Sequence, residues 1–212
     1  MEFENFLELT GHLPFIDTES LRIGAKGNTS LEVQLSRWKK SGKLIQLRRG
    51  LYLVSETYRK TKPFEPAIAA TLNRPSYISL EKALEYHGLI PEAVHVFTSV
   101  TTKRPREWQT PLGVFDYRHI RENLFWGYHS VTMNGQTAFM ASPEKALLDF
   151  FYLKSVPVNL EYLEEMRLQN FEKISPETLL QMARRFAKPR MLKIAKLISE
   201  YVLREQAREN SV

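Results

Sequence analysis

Residues 28–54 read NTSLEVQLSRWKKSGKLIQLRRGLYLV, and this stretch decides the fold. Asn28-Thr29-Ser30 offers a helix N-cap, since short polar side chains accept from the free backbone N–H groups of a first turn. Leu31, Leu35 and Trp38 then fall at i, i+4 and i+7, one face of a helix. Gly42 stands where a C′ glycine would end that helix. Beyond it, Leu44–Leu47 and Leu51–Val54 flank Arg48-Arg49-Gly50. Two apolar runs around a basic glycine turn predict a β-hairpin, with Gly50 at positive φ.

Working back from this stretch, Phe3–Leu9 predicts a short helix. Pro14 and Asp17-Thr18 mark a turn and an N-cap, and a second short helix covers Thr18–Ile23 before Gly24 and Gly27. Three short helices followed by a hairpin are the order of a winged helix-turn-helix, expected here over residues 1–58. The third helix, Thr29–Ser41, would be the recognition helix and Leu44–Val54 the wing. Leu31, Leu35 and Trp38 would hold the helix on its scaffold, with Trp38 in the core. Ser30, Gln34, Arg37 and Lys40 lie on or near the other side. Gln can pair bidentately with adenine and Arg with guanine, so Gln34 and Arg37 are the expected base contacts. Thr29, Lys39 and Lys40 are expected on phosphates, which position without specifying. Arg48 and Arg49 at the hairpin tip suit the DNA backbone or a minor groove, and Lys43 completes the basic set.

Charge location agrees with this expectation. From Arg22 to Arg49 there are eight basic residues and one acid, Glu32, a net of +7 against +6 for the whole chain of 212 residues. The excess therefore sits on the proposed surface, and six neutralised phosphates would give a log–log salt slope of about −5.

Working forward, Ser55–Pro66 (SETYRKTKPFEP) is polar, basic and proline-containing, a boundary before a second domain expected over 64–212. Helices are predicted at Glu65–Leu72 and at Leu80–His87, the latter capped by Ser79 and stopped by Gly88. Strands are predicted at Val94–Thr101, Leu112–Tyr117, Tyr128–Met133 and Thr137–Met140, with Asn134-Gly135 as a tight turn. Ser142-Pro143 opens a helix to Leu153, and further helices are read at Leu160–Leu168, Pro176–Phe186 and Pro189–Arg208. The fold class is α+β: a winged helix-turn-helix followed by a mixed α/β domain with a helical C-terminal tail. That tail carries Arg190, Lys193, Lys196, Arg204 and Arg208 opposite a stripe of Leu192, Ala195, Ile198 and Val202.

Composition narrows the function classes. Cysteine is absent, which removes disulfides, thiolate zinc sites and cysteine nucleophiles. The start lacks the pattern of a signal peptide, and no run approaches the roughly 18 apolar residues of a membrane span. A soluble, cytoplasmic protein without membrane contact is expected. None of the five histidines lies in a metal-ligand spacing, and no Walker A, GxGxxG or GxSxG is present. No enzyme activity, cofactor or metal is expected. The alternatives are a winged helix that binds protein instead of DNA, and a metal-dependent nuclease built on carboxylates such as Glu81, Glu107 and Asp116. His87 is expected to favour a helix C-terminus, Glu144 a helix N-terminus, and Asp149 to pair with Lys145 at i−4.

Three ordered pieces carry a family resemblance: the hairpin Gly42–Val54, the run YISLEKALEYHGLIP at 77–91, and ASPEKALLD at 141–149. Together they resemble the abortive-infection AbiEi-type antitoxins and related regulators over about residues 15–155. The resemblance implies a toxin–antitoxin or phage-defence protein that represses its own promoter at inverted repeats in double-stranded DNA. It further implies that the rear domain counters a nucleotidyltransferase-like toxin. The recognition helix carries over as an element, not residue by residue, and the Pro189–Arg208 tail lies outside the matched motifs.

Overall fold

The computed structural model describes residues 2–10, 13–18, 29–154 and 156–209. Helix α1 spans Phe3–Thr10 and strand β1 Ile16–Asp17; helix α2 spans Thr29–Lys40, and β2 (Leu44–Arg48) and β3 (Leu51–Val54) form a hairpin. The expected second short helix lies beyond Thr18, outside the described residues, as does the Asn28 cap. α2 ends in a Schellman turn: Lys43 N–H donates to Trp38 O at 2.9 Å and Gly42 N–H to Lys39 O at 3.1 Å, with Gly42 at φ +73°.

β1, which the sequence suggests is only a turn and a cap, pairs antiparallel with β3 and gives a sheet of order β1-β3-β2. Thr18 locks its end, its N–H donating to Gly50 O at 2.8 Å and its hydroxyl to the same oxygen at 3.1 Å. Gly50 sits at φ +80°, and a Cβ there would meet Thr18 Oγ1 at 3.0 Å. Gly50→Ala is therefore expected to cost roughly 1–2 kcal/mol, measured by urea unfolding. A loss below about 0.5 kcal/mol, the range of neutral surface changes, would show that the turn relaxes freely.

The rest is mixed α and β. Helix α3 (Glu65–Leu72) precedes β4 (Ser76–Ile78) and α4 (Leu80–Tyr86); β5 (Val96–Thr101), β6 (Arg106–Thr110) and β7 (Gly113–His119) follow. Then come β8 (Tyr128–Met133), β9 (Gln136–Ala141), α5 (Pro143–Leu153), α6 (Leu160–Glu165), α7 (Pro176–Arg185) and the long α8 (Pro189–Glu209). The six strands form one mixed sheet, β6-β7-β5-β4-β9-β8, with β4–β9 and β5–β7 parallel and the other pairs antiparallel. Successive residues of a strand point to opposite faces. Tyr77 pairs with Val100 and Ser99 with Tyr117, so the two tyrosines face opposite ways. Tyr77 reaches Asp149 of α5 and Tyr117 donates to Ala69 O of α3 at 2.6 Å, so helices cover both faces.

The hairpin is shared between two cores. Leu44 and Val54 pack with Phe3, Phe6, Ile16, Leu35 and Trp38. Leu47, Leu51 and Leu53 instead join Ile68, Leu72, Tyr117 and the main core. The segment entering α3 is also held, since Phe64 N–H donates to Gln136 Oε1 and Gln136 Nε2 donates to Lys62 O, each at 2.8 Å. No described helix is long and apolar enough to cross a membrane.

Candidate nucleic-acid interface

α2 presents two chemically different sides. Leu35 and Trp38 are 2% and 8% exposed, Leu31 is half-buried beside them, and the Trp38 ring lies against those of Phe3 and Phe6. At about 100° per residue, the side opposite Leu35 carries Val33, Arg37 and Lys40, and all three are exposed. Gln34 is half-buried on the flank, and the side chains of Thr29 and Ser30 lie outside the described residues. Val33 has no counterpart among the expected contacts; its position between Arg37 and Lys40 suits a thymine methyl, and the same period that picked out Arg37 points to it.

The remaining basic residues divide. Lys39 is exposed but its Nζ donates to Gln46 Oε1 at 2.7 Å, tying α2 to β2. Lys43 is half-buried, with its ammonium 4.5 Å from the centre of the Phe3 ring, so it covers the front core. Arg48 is half-buried and turns back toward α3, donating to Thr71 O at 3.5 Å and to Arg49 O at 2.9 Å. Arg49 is exposed at the turn. Between α2 and the hairpin runs a groove of about 520 Å³, with Glu32, Ser36 and Lys39 on one wall and Gln46, Arg49 and Tyr52 on the other. Burial, then Glu32, raises the Tyr52 phenol above its ordinary range while Arg49 opposes them, so it stays a neutral hydrogen-bonding group there. Arg37, Lys40 and Arg49 are thus exposed cations, and Lys39, Lys43 and Arg48 are engaged by contacts within the protein.

A second polar cluster joins the two rear motifs. Lys145 and Asp149 have wholly buried side chains and form an ion pair. Lys145 Nζ also donates to Tyr77 Oη at 3.0 Å, and Asp149 Oδ2 accepts from Tyr77 and from Ser79 at 2.8 Å each. Burial acts against both charges: it pulls the Lys145 amine below its usual range and pushes the Asp149 carboxyl above its own, each partly offset by the partner. Ser79 occupies the N-cap position of α4 as expected, yet its hydroxyl serves Asp149 and makes no cap bond. Glu144 is buried too, accepting from Ser175 N–H and the Ser142 hydroxyl at 3.0 Å each.

His87 is the C-cap residue of α4, and its ring Nε2 lies 2.8 Å from Ala141 O, the end of β9. Donation to that carbonyl needs a proton on Nε2. Burial, the largest influence, lowers His87 below its ordinary 6.5; His129 and Lys173 act in the same direction, and Ala141 O and Glu144 oppose them. A lowered pKa means that the unfolded chain binds the proton more tightly. The neutral ring's contribution is complete above 6.5 and is lost as pH falls through the folded value. His87→Gln keeps the donor and cannot titrate, so it should flatten the fall in unfolding midpoint between about pH 7 and 5. An unchanged pH profile would refute this assignment.

Of the candidate nuclease carboxylates, Glu107 and Asp116 face each other across β6 and β7, Asp116 pairs with Arg118, and Glu81 is bound by Lys154 elsewhere. No group of three or more His, Asp or Glu with metal-binding geometry occurs among the described residues. On α8, Ala195, Ile198 and Val202 are buried and Leu192 half-buried, while Arg190 donates to Phe151 O at 3.0 Å and Arg204 and Arg208 pair with Glu205. Lys193 and Lys196 stay exposed. No protein-family model matches the chain, and no curated protein matches it significantly.

Proposed function

We propose that this protein is a DNA-binding autorepressor that reads duplex DNA through a winged helix-turn-helix and serves as the antitoxin of a toxin–antitoxin operon. The observation that carries the DNA part is the division of α2. Its apolar side is seated on α1 and the β1-β3-β2 sheet, Arg37 and Lys40 are exposed on the other side, and Arg49 is exposed at the hairpin turn. A helix enters a major groove in this manner, with its scaffold behind it and a β-turn reaching the adjacent backbone. The order α1, β1, α2, β2, β3 supports the winged-helix reading. The antitoxin part rests on the three quoted motifs. Two of them, YISLEKALEYHG and PEKALLD, meet at the Tyr77–Ser79–Lys145–Asp149 cluster.

The test is a mobility shift with duplex from the region upstream of the protein's own reading frame against a scrambled duplex of equal length. Preference for the upstream duplex by a factor of about 10³ or more is expected of a specific site. Equal or absent binding would overturn the repressor reading. Co-expression with the product of the adjacent reading frame tests the antitoxin part: relief of growth arrest supports it, and persistent arrest removes it.

A further inference from the structure

On the far side of Arg49 from the α2 groove, where the hairpin meets α3 and β6, lies a second cleft of about 380 Å³. Among the described residues its lining holds Arg48, Arg49, Arg74, Lys103 and Arg106 and one acid, Asp17. Among the described residues, none of Arg74, Lys103 and Arg106 takes part in an ion pair. The Arg106 guanidinium instead rests 3.8 Å from the centre of the Trp108 ring.

A row of cations on a convex face would be a solvated surface. These line a recess, and three of them have no carboxylate partner among the described residues. Excess positive charge gathered around one recess specifies an anion rich in acceptor oxygens, as a phosphoryl group is. Duplex DNA presents its phosphates on a convex rod, and a recess favours a small molecule that can enter. The cleft also falls within the roughly 300–1,000 Å³ of small-ligand sites.

We infer that this cleft binds a small phosphate-bearing anion, held by Arg74, Lys103 and Arg106. The inference stands whether or not α2 binds DNA. The test is isothermal titration of the full chain with inorganic phosphate, pyrophosphate and ATP, alongside tryptophan fluorescence. Saturable binding of at least one probe is expected, weakened tenfold or more by Arg74→Ala with Arg106→Ala and unchanged by Arg37→Ala. Arg74 and Arg106 are exposed, so the double variant should fold, and Arg74→Lys with Arg106→Lys should retain part of the affinity. No saturable binding of any probe up to about 10 mM, under about 3 kcal/mol of affinity, would overturn the inference. So would binding that the alanine pair leaves intact. Loss of duplex DNA binding in the alanine pair, with no binding of the small probes, would assign the cleft to DNA instead and equally overturn it.

Discussion

Lys145→Met should lower the unfolding free energy by about 3–5 kcal/mol, the cost of breaking a buried ion pair by removing one partner. Lys145 and Asp149 are both fully enclosed, so no water can take over when the ammonium is removed. Asp149 would keep the Tyr77 and Ser79 hydroxyls as donors but would have no cation. The sign with pH follows. Without Lys145, the Asp149 carboxyl in the fold would lie further above its ordinary 3.8, because burial would act with one opposing influence fewer. A raised folded value means that the fold is favoured with the carboxyl protonated, and this contribution is lost as pH rises through that value. The variant should therefore be less damaged in acid than at neutral pH. Adding Asp149→Leu should recover much of the loss, since apolar replacement of a whole buried pair is often neutral. Recovery stays partial because two hydroxyls then lose their acceptor. Urea unfolding of the single and double variants at both pH values checks this; a single-variant loss under about 1 kcal/mol, typical of an exposed pair, would refute it.

This pair also marks the limit of reading the sequence. The spacing of Lys145 and Asp149 is legible as an i, i+4 contact, but that rule describes exposed helix faces. The signal of burial was in the rest of the helix, PEKALLDFFYL, where Glu144 is the only other charge. A helix apolar nearly all round is buried on every side, its charges included. Elements defined by local chemistry are legible: α3, β8 and α5 have the expected bounds, from proline caps, periodicity and the Asn-Gly turn. β1, β4 and β6 are not. β1 and β4 hold two and three residues and are strands only because β3, β5 and β9 offer them ladders from far along the chain. β6 reads REWQT, a polar edge strand without apolar alternation, as edge strands often are. The candidate interface divides on the same line. Arg37 and Lys40 follow from the helical period alone. Lys43 and Arg48 turn away because Phe3 and Thr71, distant in sequence, decide where they go.

Neutralising Arg37, Lys40 and Arg49 together should weaken duplex DNA binding by about 10²–10³ at 0.1 M salt and make the log–log salt slope shallower by about 2.7, the release of three counterions. All three are exposed, and among the described residues none supports the fold by a side-chain hydrogen bond to the cores. Loss of affinity with an unchanged unfolding midpoint would therefore report on binding. The individual variants should differ in kind. Arg49→Ala should lower affinity for specific and scrambled duplex alike, as a phosphate contact does. Arg37→Ala should narrow the difference between the two by about 1–3 kcal/mol, the worth of a bidentate base contact. Arg48→Ala should have a smaller effect on DNA than Arg49→Ala, because its guanidinium already faces Thr71. Filter binding of both duplexes across a salt series measures all of these at once. Equal losses on specific and scrambled duplex from Arg37→Ala would leave α2 without a role in base reading, and an unchanged slope in the triple variant would move the DNA surface off α2 altogether.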